Sequence, residues 1–311
     1  MRILVLGANG YLGGHIAGRL RALPGVRLLT GGRHPDDDLR FDLATVQPGA
    51  LAGLVELASP DAVVNCVGAV GGSALTLVEA NSRGPAVLCE ALHSAAPTAR
   101  LVHLGSVAEY GPTILGEQTA EDAPARPVSA YGASKLAGTL AVTGSGLDSV
   151  VLRVTDPVGP GAPSAGLPGR LTAELRAATR HDPAGTVQVG DLSAHRDFVD
   201  VRDVATAAAM ALTAPRPLPP LLNIGSGHAV PLRDLVHGLV RASGFRGKVI
   251  ENLGAVGRSP EVPWQCARIT AARRELGWAP GHTLHASLAA LWSADGVHGV
   301  EDRELRWDPA G

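Results

Sequence analysis

Short apolar runs without polar alternation recur along the chain, and the segments between them return apolar residues at three- and four-residue spacing. Arg2-Ile-Leu-Val-Leu6 is the first such run. Val26 to Thr30, Ala62 to Cys66, Leu101 to Leu104 and Ser149 to Val154 follow it. Unbroken apolar character over four to six residues is what a strand buried on both faces requires. Leu12, Ile16 and Leu20 are spaced for one face of a helix, and Ser82 to Ala95 and Ser134 to Val142 also read as helices. Strands alternating with helices predict a doubly wound parallel sheet. After Val158 the texture changes: Gly159-Pro-Gly-Ala-Pro163 marks a crossing into a second region of shorter, mixed elements. The polar, aperiodic stretch after Ala294 reads as a peripheral tail.

The first run enters Gly7-Ala-Asn9-Gly10-Tyr11-Leu12-Gly13 and then the first helix. Gly7 permits a tight turn, Gly10 lets backbone amides approach a pyrophosphate, and Gly13 lets helix and strand pack closely. This strand–turn–helix predicts a Rossmann-type α/β fold. A dinucleotide-binding domain would span 1–158, with chain returns from later segments. A smaller C-terminal α/β substrate-binding lobe would occupy 159–293, and a tail 294–311. The second strand ends in Gly31-Gly32-Arg33-His34, with no carboxylate before Asp36. An NAD site commonly places an acid here for the ribose 2′-hydroxyl, whereas an arginine suits a 2′-phosphate. Arg33 therefore predicts NADP(H) as the preferred cofactor, with NAD(H) possible.

Composition narrows the partners. The 311 residues carry a formal net charge of −2, which gives no electrostatic case for nucleic acid or an anionic membrane. No charged n-region precedes the first strand, and no apolar run is long enough to span a bilayer. Three widely spaced cysteines, Cys66, Cys89 and Cys266, fit neither a disulfide framework nor a zinc site. The eleven histidines form no ligand cluster; His195 reads as a polar loop residue and His103 as a core residue. We expect a cytoplasmic protein with a small-molecule substrate and no metal.

Lysine is scarce. The chain has three tyrosines and two lysines, and one of each forms Tyr131-Gly-Ala-Ser-Lys135. Positive charge is otherwise supplied by arginine, so a lysine kept here points to chemistry a guanidinium cannot do. Four residues along a helix put both side chains on one face. An ammonium about 4 Å from a phenol, at an effective dielectric of ~20, lowers the phenol's pKa by roughly 3 units. Burial opposes that shift.

Several ordered segments together resemble the extended short-chain dehydrogenase/reductase superfamily, of the NAD(P)-dependent sugar epimerase/dehydratase type. They are the glycine turn, Phe41-Asp42-Leu43, Asn81 within Ala80-Asn-Ser-Arg-Gly-Pro85, and Gly105-Ser106-Val-Ala-Glu-Tyr-Gly111. Arg196-Asp-Phe-Val-Asp200, Leu222-Asn-Ile-Gly-Ser-Gly227, and Arg258 followed by Trp278 complete the set. The resemblance implies that Tyr131 is the acid/base, that Lys135 also holds the nicotinamide ribose, and that Ser106 binds the substrate oxygen. It implies that Asp42 and Leu43 lie at adenine, Asn81 behind the nicotinamide, and Arg196 and Arg258 on a diphosphate. A homodimer through the Tyr–Lys helix is implied too.

Family members that dehydrate carry an Asp-Glu pair after the catalytic hydroxyl residue, and decarboxylating members keep the Glu. Val107 and Ala108 stand there in this chain and cannot transfer a proton. Glu109 falls on the opposite face if the strand continues. Hydride chemistry remains: an NADPH-dependent ketoreductase of a keto-sugar nucleotide or a related natural-product ketone, or an NAD(P)-linked 4-epimerase. A non-catalytic dinucleotide sensor is the third class. Three departures bear on the substrate. Asp156 replaces a family Asn near the diphosphate and would repel an anion unless an arginine neutralised it. Gly166 stands at a second Asn position and Arg268 at a signature Asp.

Overall fold

The computed structural model describes residues 1–181, 185–251 and 262–294. Its elements run β1 (Arg2–Leu6), α1 (Tyr11–Arg21), β2 (Arg27–Gly32), β3 (Leu39–Arg40), α2 (Pro48–Ala58), β4 (Ala62–Asn65), α3 (Ala74–Val78), α4 (Gly84–Ala95) and β5 (Arg100–Ser106). Then come α5 (Ala130–Thr143), β6 (Ser149–Val154), β7 (Asp156–Val158), α6 (Leu167–His181), β8 (Thr186–Val189), β9 (His195–Asp200) and α7 (Val201–Thr213). The last are β10 (Leu221–Ile224), β11 (Ala229–Pro231), α8 (Leu232–Ser243), β12 (Lys248–Glu251), α9 (Thr270–Leu276) and α10 (Leu284–Ser293).

Seven strands form one parallel sheet in the order β10-β6-β5-β4-β1-β2-β3. The central strands β1, β4, β5 and β6 are mostly apolar and buried on both faces, whereas β2 and β3 at the edge are partly exposed. On β4, Ala62 and Val64 point into a core shared with α1 and α7, while Val63 points into the core under α2 and α4. Full burial of such side chains stabilises the fold by roughly 1.5–3 kcal/mol each. Chain order reverses between β1 and β4, so a crevice opens at their carboxyl ends, where α/β sheets bind ligands.

The smaller lobe has its own core, with Leu171 and Leu175 of α6, Phe198 of β9 and Leu235 and Leu239 of α8 at its centre. Two small sheets frame it, β11-β9-β7 and β12-β8. The change of sheet falls at Thr155, before the crossing predicted at Gly159: β7 already pairs with β9. His195 starts β9 and packs against Trp264, so it is a strand residue rather than the expected loop residue. The helix predicted over 82–95 divides into a π-helical turn, Glu79–Arg83, followed by α4. Among the described residues, no helix is long and apolar enough to cross a membrane.

Candidate active site

Gly7 adopts φ +75° and donates its amide to Gly31 O at 2.9 Å, which ties the turn to β2. A Cβ at residue 13 would lie 2.0 Å from Gly7 O, so only glycine lets α1 start this close to β1. Gly10 caps α1 without a side-chain hydrogen bond, and no acidic residue stands in the first turn. The first amides of α1 are therefore left for an anionic group. This cradle fits a dinucleotide pyrophosphate.

The adenosine end holds a residue that the sequence reading missed. Asp37 folds back so that Oδ2 accepts from the His34 amide at 3.0 Å and Oδ1 accepts from Asn9 Nδ2 at 3.2 Å. A Cβ on Gly32 would lie 2.8 Å from Asp37 Oδ2, which sets the carboxylate at the end of β2. An acid thus stands where none was expected, brought there by loop geometry rather than by sequence position. Arg33 is 81% exposed and approaches Asp42 Oδ2 at 3.9 Å. Asp42 caps its own turn through the Ala44 amide. The Leu43 side chain is buried against the position of Gly84, so only its backbone can face a nucleotide. Tyr11 follows the turn and donates to Gly159 O, while Leu12 packs on the core.

Ser106 ends β5, and Tyr131 and Lys135 stand on α5. Ser129 caps α5 by accepting from the Gly132 amide at 3.1 Å. A Cβ at Gly132 would sit 2.5 Å from Ala108 O, so this glycine lets α5 press against the turn after β5. The Tyr131 phenol lies close enough to Ser106 for the hydroxyl to lower its pKa. Lys135 is buried and donates Nζ to Leu104 O. Asn81 lies in the π-helical turn, donating to Ala69 O at 2.8 Å and Ser134 Oγ at 3.0 Å. It thereby fixes the loop after β4 against α5.

The electrostatics differ from the expected lowering of the phenol. Burial raises the Tyr131 pKa; the Ser106 hydrogen bond lowers it, and the charges of Glu109 and Asp156 raise it further. Burial brings Lys135 down from 10.5 to about 8, against the Glu109 carboxylate, which supports its charge. Burial is the largest influence on the phenol, and among the protein's own groups only the Ser106 hydroxyl opposes it.

In the smaller lobe, Arg196 on β9 places Nε 3.8 Å from Asp156 Oδ2 on β7. This is the neutralising arginine that Asp156 requires. Burial raises Asp156 from 3.8 to about 6, with Arg196 opposing and Asp197 adding to the rise. The Asp156 charge also acts on the Tyr131 phenol and raises its pKa. Arg258 and the tail from 295 onward lie outside the described residues. Arg268 is exposed beside Trp264 and Gln118. His103 is fully buried, as predicted.

A glycine cradle at the switch point, with a Ser–Tyr–Lys set across the crevice, defines a nucleotide-dependent oxidoreductase of the short-chain type. The chain matches the model of the NAD dependent epimerase/dehydratase family over residues 3–225 and belongs to that family. It is similar to a dTDP-6-deoxy-L-talose 4-dehydrogenase (NAD(P)(+)) of Kitasatospora kifunensis, 37% identical over 94% of this chain and 95% of the relative. A UDP-glucose 4-epimerase of Streptomyces lividans is 29% identical over 72% of this chain and 71% of its own. The NADPH complex of RMD from Pseudomonas aeruginosa shares the fold, with TM-score 0.81 and 24% identity over 94% of this chain and 98% of that one. This chain is an NAD(P)-dependent enzyme of that family.

Proposed function

We propose that the chain is an NADPH-dependent ketoreductase acting on a keto-sugar nucleotide, such as a 4-keto-6-deoxy sugar, with NADH as a usable alternative. The observation that carries this reading is the makeup of the proton-transferring set. Ser106 and Tyr131 meet at the cleft, Val107 is buried, and Glu109 is turned wholly inward. No acid after Ser106 faces the substrate, so proton removal beside the carbonyl has no agent there.

A bound nicotinamide supplies the hydride. The chain's own part is to hold and protonate: Ser106 and Tyr131 bind the carbonyl oxygen, and Tyr131 gives it a proton as negative charge develops. Lys135, a three-donor ammonium, would hold the nicotinamide ribose, and the first amides of α1 the pyrophosphate. Arg33 suits a 2′-phosphate, while Asp37 at the end of β2 suits a free 2′-hydroxyl, which is why NADH remains usable. Arg196, with Arg258, would grip the diphosphate of the substrate, with Asp156 beside it. Residues 1–154 with β10 and α7 would bind the cofactor, and most of 156–293 the sugar nucleotide. The free cysteines suit a reducing cytoplasm. Leu140 on α5 and Val78 on α3 are 62% and 50% exposed, an apolar strip suited to a homodimer.

Purified protein incubated with NADPH and a panel of keto-sugar nucleotides tests the reading. We expect stoichiometric loss of NADPH absorbance and a product heavier by two hydrogens. The similarity to a 4-epimerase supports the second reading, which isomerised sugar without net cofactor loss would establish. Tyr131→Phe should abolish turnover and leave NADPH affinity intact; a turning-over variant would overturn the assignment.

A further inference from the structure

Glu109 closes the turn that Ser106 opens and is fully buried, with both its oxygens engaged. Oε1 accepts from the Ser106 amide at 2.8 Å, and Oε2 accepts from Arg153 Nε at 2.8 Å. Arg153 is buried as well, its guanidinium 4.4 Å from the centroid of the Tyr110 ring. Tyr110 in turn donates to Asn223 Oδ1 at 2.8 Å. The carboxylate has room because residue 105 is glycine. A Cβ there would lie 2.8 Å from both Glu109 Oε1 and Val151 Cγ1.

A buried ion pair of this kind adds little net stability, because desolvation offsets most of the attraction. Its product is geometry. The Ser106 hydroxyl oxygen receives the Ala108 amide at 3.2 Å, which occupies one lone pair and leaves the hydroxyl hydrogen for the cleft. The Ser106 amide is held at the same time by Glu109. One turn thus fixes the serine at its backbone and at its side chain. The Glu109 charge also acts on both Tyr131 and Lys135, raising the pKa of each.

We propose that Glu109 is a positioning residue of the reductase centre, clamping the turn after β5 so that the Ser106 hydroxyl meets the Tyr131 phenol and the substrate oxygen, with Arg153 as its counter-ion. The inference rests on the ketoreductase reading. Glu109→Asp keeps the charge opposite Arg153 but falls one methylene short of the Ser106 amide. We expect its kcat to fall about ten- to a hundredfold, the cost of a small misalignment, with KM and the Kd for NADPH nearly unchanged. Glu109→Gln/Arg153→Met keeps an oxygen for the Ser106 amide and removes both charges, and should recover most of kcat. Glu109→Ala/Arg153→Met, which lacks the clamp, should not. Wild-type kcat in Glu109→Asp, or equal kcat in the two double variants, would overturn the proposal. If the wild type reduces no keto sugar, the ketoreductase reading fails by itself. The clamp is then decided by hydrogen exchange at the Ser106 amide, expected slower in wild type than in Glu109→Asp. Equal exchange would reject it.

Discussion

Replacing Lys135 with Met should make the protein more stable at neutral pH while destroying its activity. The side chain is only 5% exposed, and burial lowers its pKa from 10.5 to about 8. A lysine whose folded pKa lies below its unfolded value costs stability wherever its charge must be kept in the fold. The cost is complete below about pH 8, declines between about 8 and 10.5 as the folded chain releases its proton first, and vanishes above. The displacement corresponds to about 3 kcal/mol. Met removes that cost but leaves Leu104 O without its donor, a loss of about 1 kcal/mol. Lys135→Met should therefore gain about 2 kcal/mol in urea unfolding near pH 7. By about pH 10.5 the gain should be gone, with the variant slightly the weaker of the two. An advantage independent of pH, or a variant weaker than wild type at pH 7, would refute the reasoning.

Gly138→Ala would set a Cβ 2.1 Å from Asn81 O. Thermal unfolding should show a loss of about 1–3 kcal/mol, with weaker NADPH binding as α5 shifts; unchanged melting would contradict the packing. Asp37→Asn removes the negative charge at the end of β2, so fluorescence titration should show NADPH binding several-fold tighter and NADH binding weaker. Parallel changes for both cofactors would place Asp37 away from the ribose. Asp156, ionised above about pH 6, competes for Arg196. A nucleoside diphosphate should therefore bind more tightly below pH 6 than at pH 7. Asp156→Asn should bind it about tenfold more tightly at pH 7 and lose that pH dependence, as followed by calorimetry.

The cofactor half was legible because its signals are local. A strand buried on both faces is mostly apolar, and β6 falls on the predicted residues, with Arg153 its buried exception. Gly7 and Gly13 are required by backbone geometry that shows in their spacing alone. The pairing of Tyr131 with Ser106 needed the family resemblance, since what joins them is a glycine contact between α5 and a turn. Glu109 turns inward by way of a 3₁₀ turn that begins where the strand ends, not by the two-residue period of a continued strand. Ser-x-x-Glu was the available signal, a capping-box spacing that predicts the inward turn. Asp37 gave no such signal, because its position depends on a loop folding back over Gly32. The small lobe was least legible: its strands are short and pair across long separations, as β12 does with β8. The lowering of the Tyr131 phenol expected from Lys135 does not occur, because burial raises the phenol and the ammonium is turned to Leu104 O.

The joint between β9 and α7 has a mechanical consequence. The strand passes into the helix with no intervening residue, and Asp200 locks the junction. Its carboxylate takes the Arg202 amide at 2.8 Å, the Arg202 guanidinium and the Ser287 hydroxyl of α10. A hinge needs slack, and this connection has none. The arm that carries Arg196 is therefore continuous with a helix packed on the seven-stranded sheet, so under the proposed function the substrate grip and the cofactor side would be rigidly joined. Adapting such an enzyme to a longer or shorter substrate is then a matter of reshaping the loops around that arm, because lengthening the arm itself would tilt the helix that supports the sheet.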